Sequence, residues 1–221
     1  MPAPQRSTEA LRIGVFGGAF DPPHRAHRAL AQAALNELQL DLLLLLPTGR
    51  AWHKARPLTD FRHRFAMCEL AFGDLAGVSL DDREWRRDGP TYTVDTLTEL
   101  AREYPQAALF LVIGDDQLAA FTGWKCWQDV LQLAHLAVAG RPVVSAPAEA
   151  PRHSTGPAGD EAVSGHHIPF IRLHAPLLDI SATAVRAMLG AGNPDPLALA
   201  ELVPEAIASY ISQHSLYQKP S

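Results

Sequence analysis

The sequence predicts an α/β fold: a doubly wound parallel sheet in a single domain, closed by C-terminal helices. Two observations predict it. Short apolar runs of strand length alternate with longer segments of helical spacing. That alternation favours parallel pairing, with helices packed on both faces of the sheet. Several of the runs end in glycine-rich or polar turns, and sheets of this kind bind ligands at the carboxyl ends of their strands.

Taken in order, residues 11–16 form the first strand, and Gly17-Gly18 follow it as a turn. Pro22-Pro23 then open a helix to about residue 38, because a proline fits the first helical turn, where its missing N–H has no partner. Residues 42–46, five leucines closed by Pro47 and Gly49, read as a buried strand by length and punctuation. A helix over 59–72 carries Phe61, Phe65, Cys68 and Phe72 as a core stripe. Residues 78–80 make a short strand, and 93–104 a helix with Val94, Leu97 and Leu100 on one side. Residues 109–113 are a strand ended by Gly114-Asp115-Asp116, 127–133 a helix and 136–139 another strand.

The stretch 141–167 is rich in Pro, Ala, Gly and Ser without a period, and reads as a surface loop or insertion. A strand resumes at 168–173, Ser181 caps a helix through Leu189, and Pro204 starts the last one, to about residue 212. Residues 1–10 have no apolar core and are expected to be a disordered lead-in, leaving 11–217 as one domain. No internal repeat is present.

The chain carries a net charge of −5, with 47% hydrophobic and 19% charged residues. This suits a soluble globular protein and argues against nucleic-acid or anionic-membrane binding. Cys68 and Cys126 are far apart, which excludes a disulfide framework or a cysteine-based zinc site and fits a reducing, cytoplasmic location. The densest apolar run, 42–46, is far too short to span a membrane.

Chemistry concentrates in Gly17-Gly18-Ala19-Phe20-Asp21-Pro22-Pro23-His24-Arg25-Ala26-His27. A strand, a glycine turn and a helix N-terminus together make an anion site, from free N–H groups and the helix dipole. The turn is neither a P-loop nor G-x-G-x-x-G. His24 and His27 lie one helical turn apart and are candidate phosphate donors; core packing and zinc binding are the rival readings. Zinc is the weaker rival, since the Glu of H-E-x-x-H is missing. A second motif, Ile180-Ser181-Ala182-Thr183-Ala184-Val185-Arg186, offers hydroxyls and an arginine fork at another helix start. Read alone, it is a helix cap and a surface arginine. Trp52-His53-Lys54 follows the turn Thr48-Gly49-Arg50; Lys54 is a mobile point charge for phosphate, or else a solvated loop lysine.

These motifs together resemble the signatures of the nucleotidyltransferases with an H-x-G-H motif and, within them, the nicotinate-nucleotide adenylyltransferases. Ala26 stands where the family has glycine, the smallest possible departure. The second motif resembles the family's I-S-x-T-x-x-R, and Trp52-His53-Lys54 its loop ending in His-Lys. The resemblance implies a Rossmann-like fold in which Gly17, Gly18, Phe20, Ser181 and Thr183 hold ATP. His24, His27, Lys54 and Arg186 would act on the triphosphate as catalytic residues, with Arg50 a lesser helper.

On the acceptor side, Gly89-Pro90-Thr91-Tyr92-Thr93-Val94-Asp95-Thr96-Leu97 resembles the family's P-S-Y-T-x-x-T-L. It implies that backbone N–H groups of Thr93 and Val94 read a pyridine carboxylate, Asp116 the ribose hydroxyls and Trp124 the pyridine ring. Trp127 reads as packing. The implied reaction joins ATP and nicotinate mononucleotide into nicotinate adenine dinucleotide, releasing pyrophosphate. Such a transfer needs charge neutralisation and in-line positioning rather than a nucleophilic side chain. Mg²⁺ would accompany ATP, with no protein metal site, and the two nucleotides would be the partners, with oligomeric state open. The alternatives are the same chemistry on nicotinamide mononucleotide or another phosphate acceptor, a non-catalytic nucleotide-binding protein, or a metal hydrolase.

Overall fold

The chain winds outward twice from its first strand. In the computed structural model, which describes residues 10–49, 57–140, 158–163, 165–176, 178–192 and 195–218, β1 (Arg12–Gly18) is central. To one side lie β2 (Leu42–Pro47) and β3 (Val78–Leu80), reached through the helices α1 (Arg25–Glu37) and α2 (Phe61–Phe72). The chain returns across β1 through α3 (Arg83–Arg86) and α4 (Thr93–Glu103) to β4 (Ala108–Gly114). It continues outward by α5 (Asp115–Ala119), α6 (Trp127–Leu133) and β5 (His135–Ala139) to β7 (His166–Leu173), with β6 (Ala158–Val163) at the edge. The sheet order is β3-β2-β1-β4-β5-β7-β6. The order therefore reverses between β1 and β4, and the crevice beyond their carboxyl ends is where such a sheet takes a ligand.

The register shows why the strands read as unbroken apolar runs. Phe16, Leu43, Leu45, Phe110 and Val112 face one core, while Ile13, Val15, Leu44, Leu46 and Leu111 face the other. A strand buried on both faces has no polar side to show. The first core is closed by α1 and α2 and by the C-terminal helices α7 (Ala182–Gly190), α8 (Pro196–Leu202) and α9 (Glu205–Gln213). The second is closed by α4 and α6. Among the described residues, no helix is long and apolar enough to cross a membrane.

Several expectations change. Gly17 and Gly18 are the last two residues of β1, paired with Leu46 and Pro47 of β2, rather than a turn beyond it. The prolines stand before α1, not in it: His24 is the N-cap and Arg25 the first helical residue. Within the stretch read as a loop, residues 158–163 form β6, pairing antiparallel with β7 from Ala158↔Ile171 to Val163↔His166. An edge strand needs one ladder of backbone hydrogen bonds and no apolar period, so its sequence carries little signal. Residues 141–157 lie outside the described residues, as do residues 1–9 of the lead-in and the loop with Arg50 and Lys54. The helix α8 was not anticipated either, although Asp195 caps it and Pro196 sits in its first turn.

One close approach fixes where the chain leaves β2, at Gly49. A Cβ on Gly49 would meet the backbone carbonyl of Glu84 and the N–H of Trp85 in α3. Gly49→Ala must push α3 or the loop away, an overpacking cost of about 1–3 kcal/mol. Urea unfolding that finds a loss under about 0.5 kcal/mol would contradict this packing.

Candidate functional site

Four loops converge at the carboxyl ends of β1, β2 and β4, and buried polar residues hold them there. The turn after β1 crosses over Asp21, which is 1% exposed. Its carboxylate accepts the Tyr217 hydroxyl at 2.7 Å and the Thr59 N–H at 3.3 Å. Its carbonyl accepts Arg186 at 2.7 Å. Burial, then the charge of Asp21, push the Tyr217 hydroxyl's pKa well up, so it remains a donor. Arg64 on α2, also 1% exposed, donates to the carbonyls of Ala19 (2.8 Å), Thr48 (2.7 Å) and Thr59 (2.9 Å). One guanidinium thus ties the ends of β1 and β2 to the start of α2. Burial lowers its pKa, while Asp21 leads the charges that oppose the shift.

The two histidines meet as their spacing predicts. His24 and His27 stack with ring centroids 3.7 Å apart at 27°. The backbone N–H of His24 donates to His27 Nδ1 at 3.2 Å, capping α1. A neutral His27 therefore carries its proton on Nε2, as a donor. His24 is 6% exposed, and burial lowers its pKa to about 4, so it is neutral at pH 7. Its Nδ1 is buried with no hydrogen-bond partner among the described residues, an atom that a bound ligand would satisfy.

Phe20 turns away from the crevice. Its side chain is 1% exposed and turned inward, so it cannot meet a nucleotide from there. Instead its ring stands edge-on beneath His27 at 5.0 Å and against Phe16 at 5.4 Å. Phe20 sits at φ +44°, and Gly18 leaves the space its ring fills. Gly17 remains open, with nothing nearer to a Cβ than the Leu46 carbonyl at 3.9 Å.

The second motif reaches this turn from the far end of the chain. Ser181 caps α7, its Oγ accepting the Ala184 N–H at 3.1 Å. Arg186 donates to Thr183 Oγ1 at 2.9 Å as well as to the Asp21 carbonyl. Ser181 and Thr183 are exposed beside it.

On the opposite flank, α4 begins at Thr93 with Tyr92 as N-cap and no side-chain cap, so Thr93 and Val94 carry the N–H groups a helix start leaves open. Trp124 is half-buried with its ring 5.3 Å from Phe121. The neighbouring Lys125 places its ammonium 4.0 Å from the Tyr92 ring, joining that segment to the start of α4. Asp116, in the first turn of α5, folds its carboxylate back over Gly114. Asp115 is paired with Arg172 at 2.5 Å. Lys54 lies outside the described residues.

Asp21, Tyr217 and Arg64 were not singled out from the sequence. Tyr217 and Asp21 are 196 positions apart, and no spacing rule links them. Arg64 occupies a core position on α2, beside Phe61, Cys68 and Phe72, while Phe65 is only half-buried. A charge interrupting an apolar stripe was the available signal.

Residues 15–188 match the model of the cytidylyltransferase-like family. A probable nicotinate-nucleotide adenylyltransferase of Albidiferax ferrireducens is 49% identical over 94% of this chain and 98% of its own length. That of Chromobacterium violaceum is 40% identical over 94% and 99%. Among solved structures, the Plasmodium falciparum nicotinic acid mononucleotide adenylyltransferase complexed with NaAD superposes with a TM-score of 0.75 at 19% identity, covering 94% of this chain and 97% of that one. The same protein complexed with APC gives 0.73 at 18% identity, with the same coverage. At these identities the structures bear on the fold.

The depressed pKa of His24 has a signed consequence for stability. An unfolded histidine takes up a proton below about pH 6.5, whereas the folded one resists until about 4. The stability that buried neutral His24 contributes is complete above pH 6.5 and is lost as pH falls towards 4. Between pH 7.5 and 5 this loss is about 2 kcal/mol. Urea unfolding of wild type and of His24→Gln checks it: the wild type should lose about that much more over the interval, and equal losses would contradict the burial.

Proposed function

The chain belongs to the cytidylyltransferase-like family and, within it, to the nicotinate-nucleotide adenylyltransferases; from that premise we propose that it transfers the adenylyl group of ATP to nicotinate mononucleotide. A phosphate oxygen of the mononucleotide attacks the α-phosphorus. The bond from that phosphorus to the bridging oxygen of the β-phosphate breaks, and pyrophosphate leaves with the electron pair. The products are nicotinate adenine dinucleotide and pyrophosphate, made in the biosynthesis of NAD. No covalent enzyme intermediate is needed.

The observation that carries this reading is the junction of the two motifs, with Arg186 2.7 Å from the carbonyl of Asp21, three residues before the stacked His24 and His27. Donors then converge where charge grows on the leaving group. His27 Nε2–H, the imidazole of His24 and the guanidinium of Arg186 hold the triphosphate, with Lys54 as a further cation. Gly17 and Gly18 let phosphate approach the backbone, and Ser181 and Thr183 add hydroxyls. The Phe20 side chain has a supporting role beneath His27. ATP enters as its magnesium complex, whose metal shares the charge of the phosphates. The donors around His24 suit phosphate oxygens rather than a cation.

The acceptor lies across the crevice: its carboxylate on the Thr93 and Val94 N–H groups, its ring on Trp124, its ribose on Asp116. Residues 11–217 make up the transferase domain, with small molecules as its partners. The cytoplasm is its site of action, supported by the free cysteines Cys68 and Cys126.

Pyrophosphate release with ATP and each pyridine mononucleotide tests this reading. Turnover is expected with nicotinate mononucleotide and is slower with the amide; no release with either would overturn it. His27→Ala should lower kcat by about 10²-fold or more, the effect of removing one transition-state donor. A folded variant within threefold of wild type would contradict the role of His27.

A further inference from the structure

The described residues outside this site include one buried carboxyl that the reaction does not use. Glu84, on α3, is 8% exposed. Its Oε1 accepts the hydroxyl of Thr96 at 3.3 Å, and its carboxylate also takes a backbone hydrogen bond from Gly49. The main chain of Glu84 is wedged between the same two segments: its carbonyl lies where a Cβ on Gly49 would be and faces the Thr91 hydroxyl at 3.5 Å. Thr96 is 2% exposed, one turn into α4, and Arg87 donates to its oxygen at 3.2 Å.

Gly49 is not an arbitrary anchor. Its neighbour Thr48 donates its N–H to the carbonyl of Gly18, at 2.8 Å, and gives its own carbonyl to Arg64. A continuous path of hydrogen bonds thus runs from the end of β1 through Thr48–Gly49 and Glu84 to Thr96 on α4. The proposed ATP site is at one end of that path and the proposed acceptor site at the other.

We propose that Glu84 is a positioning residue, whose carboxylate locks the loop after β2 to the first turns of α4 and so holds the two substrates in line. It touches neither substrate, and the inference rests on the function proposed above. In-line transfer is sensitive to placement, and an error of about 1 Å can cost two orders of magnitude in rate. The ionised carboxylate is an acceptor at both oxygens and meets both donors strongly; protonation turns one oxygen into a donor and weakens the tie.

The cost of this arrangement is visible in its titration. Burial raises the carboxyl's pKa to about 7, against the lowering effects of Arg87, Thr96 and the Gly49 backbone. The charged groups around it are Arg87 after α3, Asp81 before α3, and Glu99 on α4, which pairs with Arg87 at 2.8 Å; Gly49 brings an N–H. A folded pKa above the usual carboxyl value means that ionising Glu84 lowers stability as pH rises towards 7. A group kept only for stability would not be chosen so.

Glu84→Gln keeps the shape and removes the charge. Amide hydrogen exchange should quicken together at Gly49 and at Asp95 and Thr96, whose N–H groups the Tyr92 carbonyl accepts, at pH 8.5, while the melting temperature does not fall. At that pH kcat should drop about tenfold, with the KM for ATP within about twofold of wild type. The ratio of wild-type to variant kcat should shrink towards one by pH 5.5, where the wild-type carboxyl is itself protonated. Thr96→Val removes the arm to α4, together with the acceptor that Arg87 uses there, and should quicken exchange in the same two segments, which keeps the test open if the first variant does not fold. A ratio that is flat with pH, or exchange altered in one segment alone, overturns the proposal. Exchange needs no substrate, so a wild type inactive on ATP and nicotinate mononucleotide would count against the function while exchange still decides the role of Glu84.

Discussion

The structure depends on one buried carboxylate. Taking Asp21 out of water costs several kcal/mol unless hydrogen bonds and opposite charge replace its hydration. Those replacements come from distant parts of the chain: Thr59 before α2, Tyr217 after α9 and the field of Arg64 from α2. Satisfying one charge therefore draws the first strand's turn, the β2 loop and the C-terminus into one place. Arg186 then finds the Asp21 carbonyl already in position. The C-terminal helices cover one face of the sheet, and Tyr217, after the last of them, reaches the turn proposed for phosphate.

Two buried titratable groups, one in the site and one behind it, press on stability from opposite directions. His24 is buried as a base and penalises acid; Glu84 is buried as an acid and penalises alkali. Neither is the choice that packing alone would make, since an apolar side chain would fill either space without the cost. His24 lies beside the turn proposed for phosphate, and Glu84 between the two segments it is proposed to tie. Strain of this kind is expected to gather at functional sites.

Legibility in the sequence followed burial geometry. β1, β2 and β4 were readable because strands covered on both faces are apolar almost throughout. β5 has a buried apolar centre, and β7 shows instead the alternation of a half-covered strand, with Ile168 and Phe170 buried on either side of exposed Pro169. β6 was not readable, because an edge strand is held by its ladder to β7 and its residues need no apolar period. The short helices α3 and α5 escaped notice because a turn or so of helix has no periodicity to detect. At the site, the histidine spacing predicted the stacked pair. The inward turn of the Phe20 ring was not legible, because it follows from a positive φ and from the space over Gly18. Arg64 and Tyr217 were invisible because their value lies in carbonyls and a carboxylate far away in sequence.

If the Asp21 junction is what joins both ends of the chain into one site, the lone hydrogen of the Tyr217 hydroxyl should matter to the reaction. The decisive measurement is kcat for adenylyl transfer in Tyr217→Phe, with folding confirmed by near-ultraviolet circular dichroism. Loss of a hydrogen bond to a buried charge is worth about 1.5–3 kcal/mol. A fall in kcat of tenfold or more is the result expected. A folded variant within twofold of wild type would show that the site stands without the junction.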